Sequence, residues 1–80
     1  MSEAHEHERW MDEALAEARR AEALGEVPVG AVVVIDGRVA GRGHNLRETS
    51  GDPTAHAEIL AIRVAARQVG NWRLEWAVLY

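Results

Sequence analysis

The stretch Val27-Pro28-Val29-Gly30-Ala31-Val32-Val33-Val34-Ile35-Asp36-Gly37 decides the fold. Its β-branched run is nearly continuous and has no polar face, the pattern of a strand covered on both sides. Pro28 cannot donate to a ladder, so it has to lie near the strand's beginning or on an edge. Asp36-Gly37 follows at once. Between strand-like segments this dipeptide signals a tight hairpin, with glycine tolerating the positive φ that the turn requires. A second strand is expected from about Arg38 to Gly43.

Working outward, Trp10, Met11, Ala14, Leu15, Ala18 and Ala21 recur at helical spacing and predict a helix over about Glu8–Leu24, which Gly25 stops. The polar start, residues 1–7, is expected as a flexible tail. After the hairpin, His44 to Gly51 read as a loop. Asp52-Pro53 then looks like a cap and first position, opening a helix that runs to Val69 and ends at Gly70-Asn71. Trp76 to Tyr80 resembles another buried strand, and the sequence stops there. The expectation is an α/β fold of order αββαβ, helices packed on a sheet, interrupted in or just after its third strand.

Composition bounds the function. Eighty residues, 48% apolar and 28% charged, make one small soluble domain. No apolar run approaches the roughly 20 residues that span a bilayer, so neither a membrane anchor nor a signal peptide is expected. There is no cysteine, which excludes disulfides and thiolate ligands within these residues and is compatible with a cytoplasmic setting. The net charge of −4 does not advertise a polyanion partner. Any nucleic-acid contact has to rest on local arginines, with Arg42, Arg47, Arg63, Arg67 and Arg73 as candidates, or on other parts of the protein.

Asp52-Pro53-Thr54-Ala55-His56-Ala57-Glu58 carries the chemistry, because it sets an imidazole and a carboxylate together near a helix N-terminus. There the helix dipole presents partial positive charge and free N–H groups. Neutral imidazole is a good zinc ligand, and a nearby Glu is suited to moving protons. Catalytic zinc takes three protein ligands, of which His56 is one. An H-x-E triplet alone is weak: an exposed histidine and a carboxylate complementing the dipole would read the same way.

The surrounding residues strengthen it. The chain resembles the cytidine and nucleoside deaminase superfamily, with its H-x-E…P-C-x-x-C signature, and within it the tRNA adenosine deaminases. Gly25-Glu26-Val27-Pro28-Val29-Gly30-Ala31, Gly43-His44-Asn45-Leu46-Arg47, Asp52 to Glu58, Asn71-Trp72-Arg73-Leu74 and Val78-Leu79-Tyr80 carry the likeness. The resemblance implies His56 as a zinc ligand, Glu58 as the catalytic proton shuttle, Asn45 as a polar contact to base or ribose, Val29 and Ala57 lining the base pocket, and Arg47 touching RNA. Asn45 reads equally well as a loop cap, and Arg47 as a solvated charge. It further implies deamination of adenosine to inosine in a tRNA anticodon loop, a homodimer, and residues 1–80 as the N-terminal part of one deaminase domain whose cysteine ligands lie on a complementary C-terminal segment. Two rivals stay open: a guanine or other nucleobase deaminase of the same superfamily, and a non-catalytic interaction or oligomerisation fragment.

Overall fold

The computed structural model describes residues 3–80, with side chains from residue 5 onward. Its elements are α1 (Glu3–Ala23), β1 (Gly30–Ile35), β2 (Arg38–His44), α2 (Arg47–Ser50), α3 (Ala57–Val69) and β3 (Val78–Leu79). β1 is the middle of an antiparallel sheet ordered β2-β1-β3. Alternate residues of β1 serve opposite layers. Val32 and Val34 pack with Trp10 and Ala14 of α1, while Ala31 and Val33 pack with Ala57, Ala61 and Ala65 of α3. Burying each valine contributes about 1.5–3 kcal/mol, and this two-sided demand is why β1 lacks a polar face.

The hairpin forms as the sequence requires. Ile35 pairs with Arg38, leaving Asp36 and Gly37 as the turn with φ 51° and 71°. Two positive φ values are the type I′ signature, whose twist matches that of the flanking strands.

Both helices lie on bare glycine. A Cβ built at Gly41 would stand 2.2 Å from the Ala61 carbonyl oxygen, and one at Gly43 would stand 2.7 Å from that of Ala57. On the other face a Cβ at Gly30 would meet the Ala14 carbonyl oxygen at 2.2 Å. Alanines recurring every fourth residue give α3 a flat face, and the strand glycines let its backbone settle onto the sheet. A polar clamp adds to this on the α1 side. Buried Glu17 accepts from Arg20 at 2.8 Å and Arg42 at 3.0 Å through Oε2, and its Oε1 lies 2.8 Å from His44 Nδ1. Arg42 also reaches Glu13 at 2.7 Å.

Several boundaries differ from expectation. α1 begins at Glu3, so residues 3–7, expected as a tail, are helical; residues 1–2 lie outside the described residues. β1 begins at Gly30 rather than Val27, because the Val29 N–H turns back onto the Val27 carbonyl at 2.8 Å. The expected loop contains the single-turn α2. α3 starts at Ala57, not at Asp52-Pro53. The Asp52 carboxylate accepts from both the N–H and the hydroxyl of Thr54 at 2.8 and 2.7 Å, closing a local turn instead of capping a helix. The expected third strand shrinks to Val78–Leu79, with Tyr80 bonded to Val32 in both directions at 2.9 and 3.0 Å. Val78 and Leu79 are about half exposed rather than buried, since β3 is an edge strand of the described sheet.

Replacing Gly41 by Ala should destabilise the protein by about 1–3 kcal/mol, the usual cost of overpacking. Gly37→Asn, which faces open space and keeps a residue that tolerates positive φ, should cost under roughly 1 kcal/mol. Urea unfolding of the two variants beside wild type measures both, and equal losses would remove the close-approach argument.

Candidate active site

His56 is the N-cap of α3, with extended φ −76° and ψ 147°. Its backbone is fully used: the N–H donates to the Thr54 carbonyl at 2.8 Å, and its carbonyl accepts the Leu60 N–H at 3.0 Å. The imidazole is exposed and makes no hydrogen bond or ion pair with a described residue. Glu58 is the second residue of the helix, half-buried, and its carboxylate likewise has no such partner. No side chain caps the first-turn N–H groups, so their partial positive charge stays directed past the helix end. An exposed imidazole at the N-cap and a half-buried carboxylate in the first turn thus both belong to the positive dipole end of α3. Starting the helix at Ala57 rather than Asp52 tightens this arrangement, because it moves both side chains to the terminus itself.

Ala57, between them, is buried against Ala31, Val33 and the rest of the α3 face. The seat of α3 on Gly43 therefore also sets where its first turn lies.

A second set of side chains fixes the loop facing this end. Asn45 is buried; its Oδ1 accepts the Arg47 N–H at 3.2 Å and its Nδ2 lies 3.5 Å from the Val27 carbonyl. Its own N–H donates to Val29 at 3.1 Å. Asn45 thus ties the entry to β1 to the exit from β2, the work of a loop cap, and the second N–H of its amide stays uncommitted. Val29 and Arg47 are exposed.

Glu26 was not singled out by the sequence. It is buried, and its carboxylate accepts the N–H groups of Glu48 at 3.2 Å and Thr49 at 2.5 Å together with the Thr49 hydroxyl at 2.5 Å. These bonds hold α2 against the segment before β1. The Thr49 hydroxyl above all, then the Thr49 N–H, lowers the Glu26 pKa from its ordinary 4.5. Glu26, Asn45 and Arg47 line one open depression with Val27, Glu48 and Pro53.

Zinc fits this donor set only in part. Among the described residues no group of three His, Cys, Asp or Glu could hold a metal, and the sequence has no cysteine. His56 meets the requirement for one ligand.

Comparison with known proteins places the chain among deaminases. Residues 4–80 match the family described as the cytidine and deoxycytidylate deaminase zinc-binding region. The chain is 55% identical over 73 residues to the tRNA-specific adenosine deaminase of Bacillus subtilis, covering 91% of this chain and 45% of that protein. It is 53% identical to the Haemophilus influenzae protein of the same name, covering 91% and 43%. Among solved structures, a tRNA:A34 deaminase superposes with a TM-score of 0.89 at 49% identity, covering 94% of this chain and 58% of that one. Guanine deaminase from Bacillus subtilis superposes at 0.88 with 41% identity, covering 92% and 48%. The chain spans a little under half the length of these curated bacterial relatives.

Glu26→Gln keeps the shape but weakens the anchor of α2. Because the folded pKa is depressed, the contribution of the carboxylate is present above 4.5 and is lost as pH falls through the lowered folded value. The variant's Tm deficit should be full at neutral pH and shrink as the pH drops below 4.5. A deficit independent of pH between 3 and 7 in thermal scans, roughly the window over which carboxylates titrate, would contradict the assignment.

Proposed function

The chain belongs to the cytidine and deoxycytidylate deaminase zinc-binding family, and on that premise we propose that it forms part of a hydrolase converting adenosine to inosine at the wobble position of tRNA. The observation that carries this reading is the joint placement of unengaged His56 and Glu58 at the head of α3. Support for the substrate comes from the curated relatives named tRNA-specific adenosine deaminase, 55% and 53% identical to this chain.

His56 would hold zinc through a ring nitrogen, with cysteines of a complementary C-terminal segment as the remaining ligands. When bound, the metal would supply Lewis-acid activation of water, whose pKa zinc lowers to about 7. The Glu58 carboxylate takes a proton from the attacking water and gives it to the purine ring nitrogen, where it stays. It then takes the second proton from the added hydroxyl, as the carbonyl forms, and gives it to the departing amine. The water oxygen adds to the carbon bearing the amino group, and ammonia leaves. The α3 dipole favours the negative charge that develops beside its first turn. Val29 and Ala57 give the base an apolar wall, Asn45 offers its spare N–H to base or ribose, and Arg47 contacts the RNA. The same reading places the enzyme in the cytoplasm as a homodimer acting on the anticodon loop.

The likeness to guanine deaminase makes a free base the rival substrate. Zinc-loaded enzyme carrying the cysteine-bearing segment should form inosine in an anticodon stem-loop and leave free guanine unchanged; turnover of guanine alone would reverse the choice. Glu58→Ala should lower the deamination rate by at least about 10²–10⁴-fold while zinc content is retained, whereas His56→Ala should lose zinc. Persistent activity in Glu58→Ala would sink the mechanism.

A further inference from the structure

All nine cationic side chains of this acidic chain are arginine, and four of them, Arg20, Arg42, Arg63 and Arg67, line one groove. It runs along the unpaired edge of β2, between the end of α1 and the middle of α3, on an apolar floor of Leu46, Leu60 and Val64. Glu17 is the only carboxylate in its lining. Arg20 and Arg42 are engaged with Glu17, and Arg42 also with Glu13. Arg63 and Arg67 are exposed and make no hydrogen bond or ion pair with a described residue; Arg63 lies close enough to Asp52 to act on it electrostatically.

We propose that Arg63 and Arg67 form a phosphate-binding exosite that holds the RNA backbone outside the catalytic centre. The inference rests on the RNA-directed reading above and extends it to a surface which that reading does not use. Arg63 and Arg67 lie about one helical turn apart on α3, with about 6 Å of rise between their backbones, on the scale of one nucleotide of backbone. Arg63 stands about 9 Å along α3 from its first residue, so a strand whose target base sits at the helix head passes this groove within a few nucleotides. Guanidinium forks suit phosphate oxygens geometrically, and neither has to break a hydrogen bond or ion pair to a described residue. Arg20 and Arg42 are compensated by Glu17 and Glu13, so the uncompensated charge of the groove is that of Arg63 and Arg67. Positive charge gathered here, in a chain of net charge −4, steers a polyanion to this edge rather than to the surface at large.

The test uses the zinc-loaded enzyme with its cysteine-bearing segment and a labelled RNA hairpin carrying the target adenosine in its loop. Arg63→Ala/Arg67→Ala is compared with Arg19→Ala/Arg38→Ala, which removes the same charge from exposed positions elsewhere. The groove pair should weaken hairpin binding at least tenfold and flatten the dependence of log K on log salt by about 1.4 to 1.8, since each neutralised phosphate contributes roughly 0.7 to 0.9. KM should rise with kcat unchanged. If wild type binds and deaminates the hairpin but the groove pair behaves like the control pair, the exosite is wrong and the function stands. If wild type neither binds nor deaminates the hairpin, both fall.

Discussion

The contact on which everything else depends is the bare seat of α3 on β2. Gly41 and Gly43 leave no Cβ between strand and helix, and Ala57, Ala61 and Ala65 present the smallest side chains that still bury apolar surface. Close-packed backbones have little freedom to slide, because any shift drives main-chain atoms into one another. The position of the α3 N-terminus is therefore fixed by contacts that begin at its first residue. His56 and Glu58 inherit that position, so the chemistry proposed for the helix head rests on the packing beneath it.

Charged groups complete what the glycines begin. Glu17 locks α1 to β2 through Arg42 and His44, and Glu26 locks α2 to the chain ahead of β1 through Thr49 and Glu48. Each is a buried carboxylate that is fully hydrogen-bonded, which is the condition under which burial of charge is tolerated. Between them they hold the two loops that flank the head of α3. By contrast, His56, Glu58, Arg63 and Arg67 make no hydrogen bond or ion pair with a described residue.

How much of this was legible in the sequence follows from the range of the interactions involved. The β1 run and Asp36-Gly37 announce the strand and its hairpin locally, and Gly70 closes α3 in the left-handed conformation with φ 76°, as its position suggests. The H-x-E spacing of His56 and Glu58 was a weak signal by itself, and the neighbouring motifs gave it weight. The start of α3 was misread because Asp52-Pro53 has the composition of a cap, and only the competing bonds to Thr54 show that Asp52 is spent on a turn. Glu17 and Glu26 look like ordinary polar positions, since their partners in the strands and loops lie more than 20 residues away in sequence. Gly41 and Gly43 did carry a readable signal: glycine inside a strand marks close approach of another backbone. What it could not tell was which backbone approaches.

Zinc affinity of Gly43→Ala measures how far the proposed catalytic end depends on the seat of α3. The added methyl would stand 2.7 Å from the Ala57 carbonyl oxygen, with Ala61 and Leu60 as its other nearest neighbours. In the zinc-loaded enzyme, chelator competition should show binding weakened by about 10–100-fold, the usual effect of disturbing groups that orient a ligand, while circular dichroism shows the fold retained. Unchanged zinc affinity in the folded variant would contradict the claim that the seat of α3 positions the site.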